Sequence, residues 1–297
     1  MSGNVTRVGI VAKHGLRAAG DHLDRLASWL RARGIETLFD TDTKTLTAAS
    51  GETRSRDDLP RDVDLVIVMG GDGTLLSMAT RTALAGRDTP ILGVNFGSLG
   101  FLTETRIDEL YTVLESVLDG TASFDHRAML AADAYRAREH FDSRIVLNDV
   151  VFTKAALSRI IELSVSVGDG LVTKVKADGL IVATATGSTA YNLAAGGPIV
   201  HPLADAIVLT PIAPHTLTNR PIVIPGTEVI EIRPQVVSGV EDIYVTYDGQ
   251  FGYPLQPDDV VRVRKSERTL RLVKTPARSY FELLREKLKW GERGGKE

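Results

Sequence analysis

Over the first 122 residues, short apolar runs rich in β-branched side chains alternate with stretches of helical period. The pattern predicts strands over 5–12, 63–69 and 90–94, and helices over 16–33, 74–85 and 107–118. Leu23, Leu26 and Leu30 recur at helical spacing, and Gly34 stands where a left-handed terminating residue is wanted. Strand, helix, strand repetition implies a parallel sheet covered by helices. Residues 41–61, rich in Thr, Ser, Asp and Arg, show no period and are expected to form a mobile loop.

From about 125 to 275 the period changes to two. Residues 161–167 and 171–176 alternate on either side of Gly168-Asp169-Gly170, which predicts a hairpin. Further alternating runs at 229–233, 243–247 and 260–264 suggest an all-β, sandwich-like second domain. The tail returns to helix: Ser279 and Glu282 are spaced as a capping box, and Phe281, Leu284 and Leu288 are expected to line one face. This helix is expected to pack back on the first domain. The organisation expected is therefore an α/β Rossmann-like domain over 1–122, completed by 277–297, and a β-domain over 123–276.

Composition narrows the function. The 297 residues include 35 Lys plus Arg against 38 Asp plus Glu, for a net charge of −3, and 43% are hydrophobic. That excludes disordered and fibrous classes and argues against nucleic-acid or membrane partners, which call for a basic surplus or stripe. The absence of cysteine removes disulfides, a thiol nucleophile and cysteine-ligated metal, and fits a reducing compartment. The first apolar run is too brief for a signal-peptide core, so a cytoplasmic protein is expected. The longest stretch without Asp, Glu, Lys or Arg, 179–204, holds four glycines and two prolines and is expected to be buried or ligand-facing rather than membrane-spanning.

The sharpest motif is Gly70-Gly71-Asp72-Gly73-Thr74, at the end of one predicted strand and the start of a helix. Glycines admit a ligand close to the backbone, and the helix start offers free N–H groups and a positive dipole end to phosphate. A carboxylate in such a nest repels phosphate unless it serves a metal or a hydroxyl proton, so Asp72 points to phosphoryl transfer. The same residues are also compatible with a tight turn in which Asp72 caps the helix. No Walker motif and no Gly-x-Gly-x-x-Gly fingerprint accompanies them.

A second glycine cluster, 93–104, follows the next strand and would lie beside the first at the carboxyl edge of the sheet. A third covers 177–198, where Thr189, Ala190, Tyr191 and Asn192 offer small groups, hydroxyls and a ring able to stack on a base. Each is compatible with ordinary loops, and Asn148-Asp149 alone suggests a turn.

The order and spacing of these pieces resemble the NAD kinases. The resemblance rests on residues 70–74, 93–103, 148–149, 177–179, 187–191, 196–199, 210–215 with Arg220-Pro221, 248–250, 280–285 and 287–291, nearly the whole chain. It implies transfer of the terminal phosphoryl of ATP to the 2′-hydroxyl of the adenosine ribose of NAD, giving NADP, with Asp72 as proton acceptor and a divalent metal, magnesium, on the phosphates. Gly70, Gly71, Gly73 and Thr74 would form the phosphate loop, Gly73 also admitting the ribose. Phe101, Asn148, Asp149, Thr189, Ala190 and Tyr191 match adenosine-side contacts, with Asn192 beside them. Asp178, Ala194 and Ala213 fall toward the nicotinamide nucleoside, and Gln250 is a further polar contact. Arg159 and Lys176 match positions near substrate phosphates or a neighbouring subunit, or else are solvated sheet-edge charges. Lys176 resembles the basic residue of ATP-restricted members, which favours ATP over polyphosphate. A homodimer or homotetramer is implied.

Three positions depart from the family pattern. Ala183 and Ala185 replace a hydroxyl and a proline, and Ala194 replaces a serine, removing side-chain hydrogen bonds worth about 0.5–1.5 kcal/mol each. Two other functions share the glycine turn. A lipid or sugar kinase would carry a membrane-facing segment or leave the Thr189 to Tyr191 cluster without use, and a non-catalytic NAD(H) sensor would lack Asp72.

Overall fold

A computed structural model of the chain describes residues 5–97, 99–155, 160–216, 218–235, 243–275 and 278–290. The chain forms two compact units, residues 1–126 with 270–297, and residues 127–269. The units divide at 126/127 and 269/270, where the change of period suggests 122/123 and 276/277.

The first unit runs β1 (Arg7–Ala12), α1 (Gly20–Arg31), β2 (Glu36–Asp40), α2 (Thr41–Lys44), β3 (Glu52–Arg54), α3 (Leu59–Asp62), β4 (Leu65–Met69), α4 (Asp72–Leu84), β5 (Ile91–Asn95), β6 (Thr105–Arg106) and α5 (Leu110–Leu118). The chain then enters the second unit within β7 (Phe124–Arg136). There follow β8 (Glu139–Val146), β9 (Asp149–Lys154), β10 (Ile161–Val167), β11 (Gly170–Ala177), β12 (Gly179–Thr184), α6 (Tyr191–Ala194), β13 (Ala206–Ile212), β14 (Ile222–Pro225), β15 (Ile230–Gln235), β16 (Ile243–Tyr247) and β17 (Phe251–Leu255). It returns within β18 (Val260–Val273) and ends in α7 (Tyr280–Leu288).

In the first unit the strands lie in the order β5, β4, β1, β2, β3, all parallel, with β6 beside β5 and Leu272 of β18 paired with Ile91. Both faces of β1, β4 and β5 are covered, which is why these strands are unbroken apolar runs instead of alternating ones. Helix α1 turns Leu23, Leu26, Ala27 and Leu30 to the core, and Gly34 (φ 73°) ends it. The parallel arrangement sets the turns after β1, β4 and β5 side by side at one edge.

Segment 41–61 departs from expectation: it carries α2, β3 and the start of α3, and β2 precedes it. Elements of three or four residues are too short to show a period. Side chains define them instead. The Asp40 carboxylate caps α2 by accepting from the Thr43 amide at 3.2 Å and pairs with Arg56 at 2.7 Å, while Arg54 pairs with Asp62 at 2.8 Å.

The second unit is an antiparallel sandwich. One sheet has the order β14, β13, β12, β9, β16, β17; the other contains β11, β10, β15 and β18, with β7 and β8 beyond. Alternate residues of both sheets, among them Phe152, Leu163, Val182, Ile232, Val245 and Val263, share one core. The predicted hairpin is β10 and β11, with a bulge at Val165/Ser166. Residues 179–204 form β12 and short helical turns, and among the described residues no helix is long and apolar enough to cross a membrane.

Helix α7 has the expected capping box and belongs to the first unit, where Glu286 pairs with Arg106 at 3.0 Å. Its apolar face is corrected: Leu283 and Leu284 are buried, whereas Phe281 is 62% exposed. Phe281→Ala should therefore change unfolding free energy by no more than about 0.5 kcal/mol, and Leu284→Ala should cost about 2–5 kcal/mol. Urea unfolding of the two variants checks this, and an equal loss from both would contradict the assignment.

Candidate active site

The first unit builds a carboxylate site from two neighbouring turns. Strands β4 and β5 pair in parallel, and the Gly70 amide donates to Val94 O at 2.8 Å, so the turns after the two strands begin level with each other. Asp72 is the first residue of α4, but its side chain does not cap that helix. It reaches the other turn instead. Asp72 Oδ1 accepts from the Leu102 amide (3.1 Å), the Thr103 amide (3.0 Å) and Thr103 Oγ1 (2.9 Å), and Oδ2 accepts from the Phe101 amide (2.8 Å). Thr103 Oγ1 in turn accepts from Asn95 Nδ2 at 3.0 Å. The capping role that the motif alone also allowed is therefore not the one Asp72 plays. A Cβ on Gly100 would collide with the Asp72 carboxylate, so only glycine fits where the loop wraps it. The amides of Gly71, Asp72 and Gly73, at the start of α4, have no acceptor among the described residues and remain available to an anion.

The second unit builds a polar cluster at the junction of β9 and β12. Asp248 follows β16 in a left-handed conformation (φ 51°). Its carboxylate accepts from the amides of Leu147 (2.9 Å), Asn148 (2.8 Å) and Asp149 (3.1 Å). Asn148-Asp149 is thus not an isolated turn: Asp149 opens β9, and Asn148 O accepts from the Thr184 amide at 2.9 Å. A Cβ on Gly187 would overlap the Asn148 carbonyl, which explains the glycine there. Thr184 Oγ1 closes the corner, donating to Leu147 O at 2.6 Å and accepting from the Gly187 amide at 2.8 Å. These contacts consume backbone groups and leave the Asn148 side-chain amide and the Asp149 carboxylate without a hydrogen-bond partner among the described residues. Thr186 Oγ1 is buried without a partner as well.

Electrostatics in this cluster are strained. Burial, followed by the nearby Asp248 charge, pushes Asp149 up to about 7. Burial also raises Asp248, to about 6, against three backbone donors that favour its ionised form.

Comparisons with known proteins place the chain in a family. Residues 8–122 match the family model described as the ATP-NAD kinase N-terminal domain, and residues 147–275 match the ATP-NAD kinase C-terminal domain. An NAD kinase of Geotalea daltonii is 48% identical over 97% of this chain and 99% of its own length, and one of Geobacter sulfurreducens is 47% identical with the same coverage. The chain belongs to the NAD kinase family. The reaction of NAD kinases is phosphorylation of NAD to NADP, a phosphotransferase activity for which ATP is the phosphoryl donor. In fold, the chain is similar to the yeast NADH kinase complexed with NADH, with a TM-score of 0.86 at 23% identity over 98% of this chain and 89% of that one. An Archaeoglobus fulgidus NAD kinase in complex with ATP gives 0.75 at 24% identity over 95% and 98%.

The residues that resemblance to NAD kinases singles out are distributed as follows. Asp72, Gly73 and Phe101 meet in the first unit, with Gly70, Gly71 and Thr74 in the same turn. Asn148, Asp149, Thr189, Ala190 and Tyr191 gather in the second, where the Tyr191 ring is 45% exposed. Asn192 is different: it is fully buried, and its amide donates to Ser188 O (2.9 Å) and Pro198 O (3.0 Å) and accepts from Thr210 Oγ1 (2.6 Å). Both its N–H donors and one lone pair of its oxygen are used in holding this loop, so it frames the cluster from within. Asp178 pairs with Lys154 at 2.7 Å, and the exposed Ala194, Ala213 and Gln250 offer backbone or flexible contacts. Lys176 lies on the edge strand β11, paired with Glu162 across the hairpin at 3.2 Å. Arg159 lies outside the described residues. Ala183 and Ala185 are buried, whereas the lost hydroxyl at Ala194 is on the surface. Thr103, Thr184 and Asp248 were given no role by the sequence. Their only signal is position within quoted motifs, and their work lies in contacts up to 101 residues away in the chain.

An acid whose folded-state value lies above its unfolded value of about 3.9 stabilises the fold fully only below the unfolded value, and that contribution is lost as pH rises. For Asp149 the loss spans roughly pH 4 to 7. Asp149→Asn, isosteric and uncharged, should therefore leave stability near pH 4 unchanged and raise it at pH 8, by an amount on the order of 2–4 kcal/mol. Unfolding midpoints measured across pH check this, and parallel curves for the two proteins would contradict it.

Proposed function

We propose that Asp72 is the proton acceptor in transfer of the γ-phosphoryl of ATP to the 2′-hydroxyl of the adenosine ribose of NAD. The observation that carries the reading is the unequal loading of the two carboxylate oxygens: Oδ1 accepts three hydrogen bonds and Oδ2 one. Oδ2 keeps the lone-pair capacity needed to orient the hydroxyl and take its proton. The bond from the 2′-oxygen to the γ-phosphorus forms as the bond from that phosphorus to the β,γ-bridging oxygen breaks. ADP leaves, and the hydroxyl proton passes to Asp72.

The free amides of Gly71, Asp72 and Gly73 face phosphate oxygens, and Gly73 has nothing within 4 Å of a would-be Cβ, leaving room for the ribose. Within the second unit Tyr191 stacks on the adenine ring, Asn148 and Asp149 bond the polar edges of the adenosine, Thr189 and Ala190 add small contacts to it, and Asp178, Ala194, Ala213 and Gln250 serve the nicotinamide side; Phe101 of the first unit is a further adenosine contact by resemblance. Asn192 acts through this loop without touching substrate. The neutral form of Asp149, favoured by burial, donates where the ionised form only accepts.

Among the described residues no three His, Cys, Asp or Glu side chains converge on a cation position. Magnesium would enter with the nucleotide phosphates, whose hard oxygen ligands suit it. When bound, the ion would supply charge neutralisation at the transferring phosphoryl. ATP is favoured over polyphosphate because Lys176 supplies a basic side chain at the position that resembles ATP-restricted members. The enzyme acts in the cytoplasm as a homodimer or homotetramer built through the β-unit, and sedimentation giving only monomer at micromolar concentration would exclude that assembly.

Purified protein with NAD, ATP and Mg²⁺ should form NADP, detected with an NADP-specific dehydrogenase. Asp72→Asn should lower turnover at least about a hundredfold, the scale of general-base catalysis, and polyphosphate should replace ATP poorly. Undiminished turnover by Asp72→Asn would refute the role of the carboxylate. Comparable rates with polyphosphate would refute the donor preference.

A further inference from the structure

The Gly70 to Thr74 turn contains no basic residue and one acidic one. Its amides and the α4 dipole supply only partial positive charge, yet an ATP donor brings several negative charges and ADP gains more as it leaves. Phosphoryl-transfer sites elsewhere meet this need with a lysine from the phosphate loop or from a neighbouring strand. The fold presents such a lysine in the adjacent turn. Lys13 directly follows β1, the neighbour of β4, and its amide donates to Met69 O at 2.9 Å, carrying the β1–β4 pairing to the carboxyl edge of the sheet.

Its side chain is rooted against the phosphate turn. A Cβ built on Gly70 would stand 3.0 Å from Lys13 Cβ and 2.8 Å from Thr74 Oγ1, so the base of the lysine, the Gly70 backbone and the first turn of α4 share a space too small for a methyl group. Lys13 is exposed, and no described residue makes a hydrogen bond or ion pair with its ammonium. Three other cations of this unit already have partners: Arg56 pairs with Asp40 at 2.7 Å, Arg81 pairs with Asp57 at 2.6 Å, and Lys287 lies over the Phe101 ring at 5.9 Å.

We propose that the Lys13 ammonium binds the polyphosphate chain of the phosphoryl donor, supplying the full positive charge that the glycine turn lacks. The flexible four-carbon stem lets the ammonium follow the phosphates as charge moves onto the leaving group. The inference rests on the reading of the Gly70 to Thr74 turn as the site of phosphoryl transfer. It concerns the donor alone, so it separates ATP from NAD in kinetics.

The test is steady-state kinetics of the full chain, varying ATP and NAD in turn, for wild type, Lys13→Met, Lys13→Gln and Lys13→Arg. Loss of one charge-assisted bond should raise KM for ATP about tenfold or more in the Met and Gln variants, change KM for NAD less than about threefold, and be largely restored by arginine. Lys265→Met, which removes the same charge from an exposed pair with Asp205, should move neither constant. An ATP KM within twofold of wild type in both neutral variants, equal rises for both substrates, or an equal effect of Lys265→Met would overturn the proposal. Failure here alongside loss of turnover in Asp72→Asn would refute Lys13 and spare the catalytic reading; undiminished turnover in Asp72→Asn would refute that reading itself.

Discussion

One carboxylate ties the two turns of the first unit together. The loop that follows β5 has no ladder to hold residues 99–103, and three of its amides and one hydroxyl are satisfied by Asp72. Hydrogen bonds to a charged acceptor contribute about 1.5–3 kcal/mol each where neutral ones contribute about half. The geometry of the loop therefore depends on the charge proposed to take the substrate proton. Side-chain length matters too: Asp72 sits on the first turn of α4, and Gly100 is cleared to the last atom to receive it. The proposed catalytic group and the scaffold are the same few atoms, so their geometry is fixed before substrate arrives.

The second unit uses the same device with a different outcome. Asp248 gathers the amides of residues 147–149, which sets the direction of Asn148 and Asp149 while leaving their side chains unspent. Beside it, the buried Asn192, Ser188 and Thr210 bond one another and the backbone of residues 198 and 200, and this inner frame holds Tyr191 at the surface. Two carboxyl groups kept close and out of water weaken the fold near neutral pH. Function at a buried polar site commonly carries that cost.

Sequence exposed what depends on local backbone chemistry. Central parallel strands appear as apolar runs, the hairpin as alternation around Gly168 and Gly170, α7 as a capping box, and the Gly70 to Thr74 turn as glycines after a strand. It hid whatever depends on distant partners. The elements between residues 36 and 62 are held by Asp40, Arg54 and Arg56, not by period. Phe281 has the spacing of a core residue but faces out, because Leu283 and Leu284 take the inner face. Asn192 shares a motif with the exposed Tyr191, yet its orientation is decided by Thr210, and that of Lys176 by Glu162. Lys13 carries no motif; only the parallel pairing of β1 with β4 brings it beside Gly70.

The family assignment supplies the reaction, and the geometry supplies the reason this chain would perform it at Asp72. The decisive dependence is that of the 99–103 loop on a single negative charge. Hydrogen–deuterium exchange of wild type and Asp72→Asn tests it directly. The account predicts that the amides of residues 101–103 lose protection in the variant while α1 and β4 keep theirs. Unchanged protection in that loop would contradict it.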